Sequence, residues 1–124
     1  MKRNAYLIIL IMSCMFNLNC ETCDIKHGSY GGGMLFLGKS NNKISGEINI
    51  NQGEPAVKCH LTFIVDCDNS NSKKEIELKD PFGNLYPAII KMGKDEIYIQ
   101  AFEQLGACQR VLDLKRGESF SYDK

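Results

Sequence analysis

The chain has 124 residues, 44% of them hydrophobic, six cysteines, and 15 Lys and Arg balanced by 15 Asp and Glu. The basic residues form no block and no stripe at helical spacing, which excludes the electrostatic footprint of a nucleic-acid-binding protein. The length allows one domain with one modest core, in a size range where cross-links matter to stability.

Lys2 and Arg3 precede an almost unbroken apolar run, Ala5 to Phe16, which Asn17, Asn19, Glu21 and Asp24 end abruptly. Positive charge followed by about a dozen apolar residues is the order of a secretory signal. The run falls short of the roughly 20 residues that a membrane-spanning helix needs. Residues 1–19 are therefore expected to be an export signal, and residues 20–124 a single domain acting outside the cytoplasm. Phe16-Asn-Leu-Asn-Cys20 resembles a bacterial lipoprotein signal, although Asn17 and Asn19 stand where an aliphatic and a small residue are usual. Cys14, after Ile11-Met-Ser13, matches the local pattern better, but its apolar run is short. Cysteine arithmetic favours Cys20. Lipidation there, or cleavage just after it, leaves Cys23, Cys59, Cys67 and Cys108 to form two bridges. Loss of the signal removes two of the basic residues and none of the acidic ones, so the mature charge stays nearly neutral.

Downstream, short apolar alternations separated by turn residues predict strands. Gly28-Ser-Tyr-Gly-Gly-Gly33 lacks the spacing of a phosphate loop and suits close chain approach before a strand at Met34–Leu37. Asn41-Asn42 predicts a tight hairpin into Lys43–Ile50, where Ile44, Ile48 and Ile50 share a face with Gly46. In Lys58–Cys67, Cys59, Leu61, Phe63, Val65 and Cys67 share one face, with His60, Thr62 and Asp66 on the other. Further strands are expected at Glu75–Lys79, Leu85–Lys91, Glu96–Phe102, Cys108–Leu114 and Ser119–Tyr122, with a turn at Asp80-Pro-Phe-Gly-Asn84. A helical turn or two could occupy Gln100–Leu105, ended by Gly106. About eight short strands predict an all-β domain, a small antiparallel β-barrel or β-sandwich tied by disulfides; the barrel is preferred because closure leaves no sheet edge.

Cys59 and Cys67 at the two ends of one strand would lie roughly 25 Å apart, too far to pair, since bridged Cα atoms lie within about 7 Å. The pairs expected are Cys23 with Cys59 and Cys67 with Cys108. Among candidate chemistries, Cys20-Glu-Thr-Cys23 has redox spacing but no helix to follow it. Zinc would need Cys20 or Cys23 with His27, Cys59 and His60, yet Cys59 and His60 face opposite ways on a strand. Asp66 to Glu77 imitates calcium-loop spacing, but Asn71 replaces the turn glycine and Lys73 and Lys74 add positive charge. Neither Asp24, His27 and Ser29 nor His60 and Asp66 has a recognised catalytic spacing. No catalytic residue, metal or cofactor is assigned, and Tyr98 and Phe102, on the face opposite Ile97, Ile99 and Ala101, are the candidate exposed binding patch.

The general organisation resembles small bacterial envelope inhibitors and immunity proteins, which implies a noncatalytic domain, periplasmic or lipid-anchored, that neutralises a protein partner in the cell envelope. The alternatives are a structural or small-apolar-ligand-binding envelope lipoprotein, which requires an accessible apolar cavity, and a small hydrolase. A hydrolase requires a cleft where His27 or His60 meets a nucleophile or carboxylate, and that geometry would count against the noncatalytic reading. Intact-mass measurement of the exported protein is expected to give a chain starting at Cys20 and carrying added lipid; an unmodified start between residues 20 and 22 would replace anchoring with plain secretion.

Overall fold

The computed structural model describes residues 24–53, 57–67 and 72–124; the expected export signal, Cys20, Cys23 and the centre of the calcium-like segment lie outside them. Eight antiparallel strands run β1 (Gly28–Tyr30), β2 (Leu35–Ser40), β3 (Lys43–Gln52), β4 (Val57–Asp66), β5 (Lys73–Lys79), β6 (Leu85–Met92), β7 (Glu96–Ala101) and β8 (Glu118–Ser121). Each strand is hydrogen-bonded to its neighbours in sequence, so the sheet is a plain meander. It curls into a nearly closed β-barrel, which decides between the two architectures left open above.

Closure joins β1 to the end of β8. Tyr30 bridges Tyr122, the Gly31 amide donates to the Ser121 carbonyl at 2.7 Å, and the Asp123 amide donates to the Ser29 carbonyl at 2.9 Å. The Asp123 carboxylate then accepts from Ser29 Oγ at 2.7 Å and from the Gly32 and Gly33 amides at 2.8 and 2.9 Å. Gly31, Gly32 and Gly33 all take φ values of 64–92°, a backbone that only glycine adopts readily and that turns successive N–H groups toward one anion. Close approach applies at Gly31, where a Cβ would collide with the Phe120 ring, while Gly32 and Gly33 serve through their positive φ.

Alternation along each strand sends one set of side chains inward. Leu35 and Leu37 of β2, Ile44 and Ile48 of β3, Leu61 and Phe63 of β4, Leu78 of β5, Ile90 of β6, Ile97 and Ile99 of β7 and Phe120 of β8 are buried, and among the described residues no polar or charged residue is buried with them. β3 and β4 pair over all ten positions, with Gly46 opposite Phe63. A Cβ at Gly46 would collide with the Phe63 ring, so the missing side chain is what lets the ring lie inside the barrel. Tyr30 is fully buried, its hydroxyl donates to the Lys26 carbonyl at 2.7 Å, and burial pushes its pKa up to about 12.

Two expectations are corrected between β7 and β8. Residues 108–114 are not a strand: a short 3-10 helix spans Gly106–Arg110, beginning at the residue expected to end a helix, and β1 supplies the eighth strand instead. The segment folds back over the barrel end and buries Leu105, Cys108, Leu112 and Leu114. Its period-two apolar pattern therefore comes from an irregular cap, not from a pleated strand. The cap also changes the disulfide: Cys108 is bonded to Cys59, with Cα atoms 4.7 Å apart, and not to Cys67. Cys59 faces inward near the start of β4, under the cap, whereas Cys67 follows the other end of that strand. Cys67 is disulfide-bonded as well, and Cys23 lies outside the described residues. The Cys59–Cys108 bond pins the cap to the far wall across a separation of 49 residues. Replacing both cysteines by serine is expected to cost about 2–4 kcal/mol, read as a lower midpoint in urea unfolding.

Candidate interaction surface

With the inward positions filled, the candidate chemistry lies on the outside. Phe36 of β2, Ile64 of β4, Leu85 of β6 and Phe102 after β7 are all about half exposed or more, and Phe82 in the β5–β6 loop is 89% exposed. The pairing register gathers them. Phe36 stands opposite Glu47, Glu47 opposite Thr62, Thr62 opposite Lys79, and Lys79 opposite Leu85, forming one row across five strands. Beside it, Glu77 pairs with Pro87, whose carbonyl accepts from the Phe102 amide at 3.1 Å.

The row crosses a sparsely paired ladder. β4 and β5 share only the Thr62–Lys79 pair, whereas β5 and β6 share seven. Over this seam lies a hollow of about 530 Å³ lined by Phe36, Glu47, Thr62, Ile64, Glu77, Lys79 and Leu85 among others. A second, of about 550 Å³, lies between Ile64, Glu75, Glu77, Pro87 and Phe102. The side chains of Glu75 and Glu77 form no hydrogen bond or ion pair among the described residues, and their cross-strand neighbours, Ile89 and Pro87, are apolar. Carboxylates standing beside apolar surface without a cation are a feature of recognition faces more than of plain solvated ones.

The loop carrying Phe82 is held by a single side chain. Asp80 Oδ1 accepts from the amides of Phe82 and Asn84 at 2.9 Å each, and Oδ2 accepts from Asn84 Nδ2 and the Tyr86 hydroxyl at 3.0 Å each. The Gly83 amide closes the turn onto the Asp80 carbonyl at 3.1 Å, with Gly83 at φ 87°. Partial desolvation would raise the Asp80 pKa, but the hydrogen bonds from Asn84, Tyr86 and Phe82 together outweigh it and hold the pKa below the ordinary value. The same bond to Asp80 pushes the Tyr86 hydroxyl upward.

The sequence-expected sites are distributed differently. Tyr98 and Phe102 do share the outward face, but they line separate hollows: Tyr98 is half-buried beside Lys73, Lys91 and Ser119, its ring lying over Gly117, while Phe102 joins Ile64 and Pro87. The proposed patch is therefore split, and its Phe102 half belongs to the larger surface. Ser29 is committed to Asp123, and His27 makes an edge contact with the Phe36 ring at 5.4 Å, so Asp24, His27 and Ser29 do not assemble as a triad. Cys59 faces inward in its disulfide, away from His60. Asp66 pairs with Lys43, and His60 Nε2 lies 3.1 Å from Glu47 Oε2. That last contact meets one half of the catalytic geometry set out above, a histidine on a carboxylate beside a hollow. The pair is open, with the two side chains 42% and 50% exposed, and no hydroxyl or thiol is bonded to His60 among the described residues.

No protein-family model, curated protein or solved structure matches the chain. The reading of the surface rests on its own geometry. Because Asp80 has a depressed pKa when folded, its hold on the loop is complete above the ordinary aspartate range, about pH 4, and is lost as pH falls through the lower folded value. Amide hydrogen exchange at Phe82 and Asn84, compared with amides of β3, should accelerate selectively on acidification, and Asp80→Ala should give the same acceleration at neutral pH.

Proposed function

We propose that this protein is an exported, noncatalytic binding or inhibitory domain that recognises a protein partner in the cell envelope through the outside of its barrel. The observation that carries the reading is the division of side chains: the interior is filled by the protein's own rings and branched chains, while Phe36, Ile64, Leu85 and Phe102 line the outer hollows beside the β4–β5 seam and Phe82 projects from the β5–β6 loop. A carrier of small apolar molecules is less well supported, because the inward positions that would line its cavity are occupied by packed side chains. Export by residues 1–19, anchoring through a lipid on Cys20 and the periplasmic or secreted destination belong to the same proposal.

One observation favours a second reading. The His60–Glu47 contact is of the kind that a general base requires, and a hydrolase would use it on a substrate lodged in the neighbouring hollow. Against this stand its exposure and the absence, among the described residues, of a nucleophile bonded to His60.

Affinity capture from an envelope extract with the mature, disulfide-intact domain is expected to recover a stoichiometric protein that is lost when the domain is reduced. Recovery of a lipid and no protein would sink the binding reading in favour of the carrier. Turnover of chromogenic esters that His60→Ala abolishes would replace it with the hydrolase.

A further inference from the structure

Phe82 combines two properties that rarely coexist by accident. It is the most exposed large apolar side chain of the barrel, and its loop is held by four hydrogen bonds to one carboxylate. An exposed ring gains nothing for folding, and a floppy loop would fold its ring down against Leu85 at the loop base. Fixing the turn keeps the ring displayed and removes much of the ordering entropy that a partner would otherwise have to supply. Rigid aromatic side chains with apolar neighbours are the usual anchors of protein interfaces.

We propose that Phe82 enters an apolar pocket of a protein partner, Leu85 and Ile64 are covered with it, and Glu47 and Glu77 meet lysine or arginine side chains on the pocket rim. The inference rests on the binding-module reading and names the chemistry of the partner. Charge complementarity selects a cationic rim. Among the described residues no cation is bonded to Glu77, and the contact of Glu47 is that of Oε2 with His60. Among the described residues that line the hollow, Lys79 is the one basic side chain. The same carboxylates argue against a lipid bilayer as the occupant, because anionic headgroups would repel the face that flanks the ring.

The test places a photo-reactive benzoylphenylalanine at position 82 of the exported full-length protein and, as control, at exposed Ser119 on β8, in the separate hollow beside Tyr98. Irradiation in an envelope extract is expected to cross-link one protein through position 82 and not through 119. That protein, purified, is then titrated with the wild type, Phe82→Ala and the Glu47→Lys/Glu77→Lys pair. Phe82→Ala should weaken binding about 30-fold, the size of a hot-spot loss. The charge pair should weaken it several-fold at low salt and much less at high salt. Unchanged thermal unfolding of the variants shows that the loss is not misfolding.

A partner that cross-links through Ser119, or that binds Phe82→Ala and the charge pair as it binds the wild type, overturns the anchor and leaves the binding reading standing. Failure to obtain any protein by cross-linking or by affinity capture overturns both. Phe82-dependent binding to phosphatidylglycerol vesicles without a protein cross-link assigns the ring to a membrane and overturns the inference.

Discussion

A meander of eight strands leaves two open edges unless its first strand meets its last, and here the first strand is only three residues long. Main-chain pairing between β1 and β8 is correspondingly sparse, and the Asp123 carboxylate supplements it by gathering Ser29 Oγ and two glycine amides. These bonds hold its pKa below the usual aspartate value, the Ser29 hydroxyl contributing most. A second latch lies beside it: Lys26 pairs with Asp95 at 2.5 Å and lies over the Tyr122 ring, which packs edge-on against buried Tyr30. Exposed ion pairs of this type contribute little singly. Their value here is positional, because they fix the strands whose union removes both sheet edges.

Closure determines where function can reside. Once the sheet is a barrel, every inward position is claimed by the core, and a strand can present chemistry only through its outward residues or its loops. Polar side chains occupy most outward positions of β3 and β5, as expected for a solvated face. Phe36, Ile64 and Leu85 depart from that pattern on the alternate strands β2, β4 and β6, and all three line one hollow. Scattered apolar residues on a surface need no explanation. A group of them over a sparsely paired ladder, next to acidic side chains and a stiffened aromatic loop, does.

Alternation is a local signal, and what it governs was legible in the sequence: strands β2 to β7, the Asn41-Asn42 turn, where Asn41 takes φ 56°, and the inward set of β4 were all readable from residue type and spacing. Pairings set by curvature were not. Cys108 reaches Cys59 only because the cap doubles back over the barrel end, and no spacing in the chain encodes that return. Asp123 was overlooked because its partners lie some 90 residues away. Phe82 did carry a local signal. A phenylalanine between Pro81 and Gly83 at a turn apex has no sheet face to bury it, so the turn that was recognised already implied an exposed ring.

Glu47 is the residue on which the two functional readings compete. As the partner of a general base it would need to orient His60 in a site screened from water, where the imidazole could exchange a proton with a bound substrate. The pair instead lies on an open strand surface with both side chains near half exposure, and water there competes for each proton and weakens each charge. As a surface countercharge, Glu47 needs neither screening nor a third residue. Its Oε2 can keep His60 in place while Oε1 accepts an incoming cation, and removal of water would come from the partner itself as it covers Ile64 and Leu85. Docking would then strengthen the electrostatic contacts at the rim of the interface, so the apolar and acidic components of this surface act together only when a partner is seated.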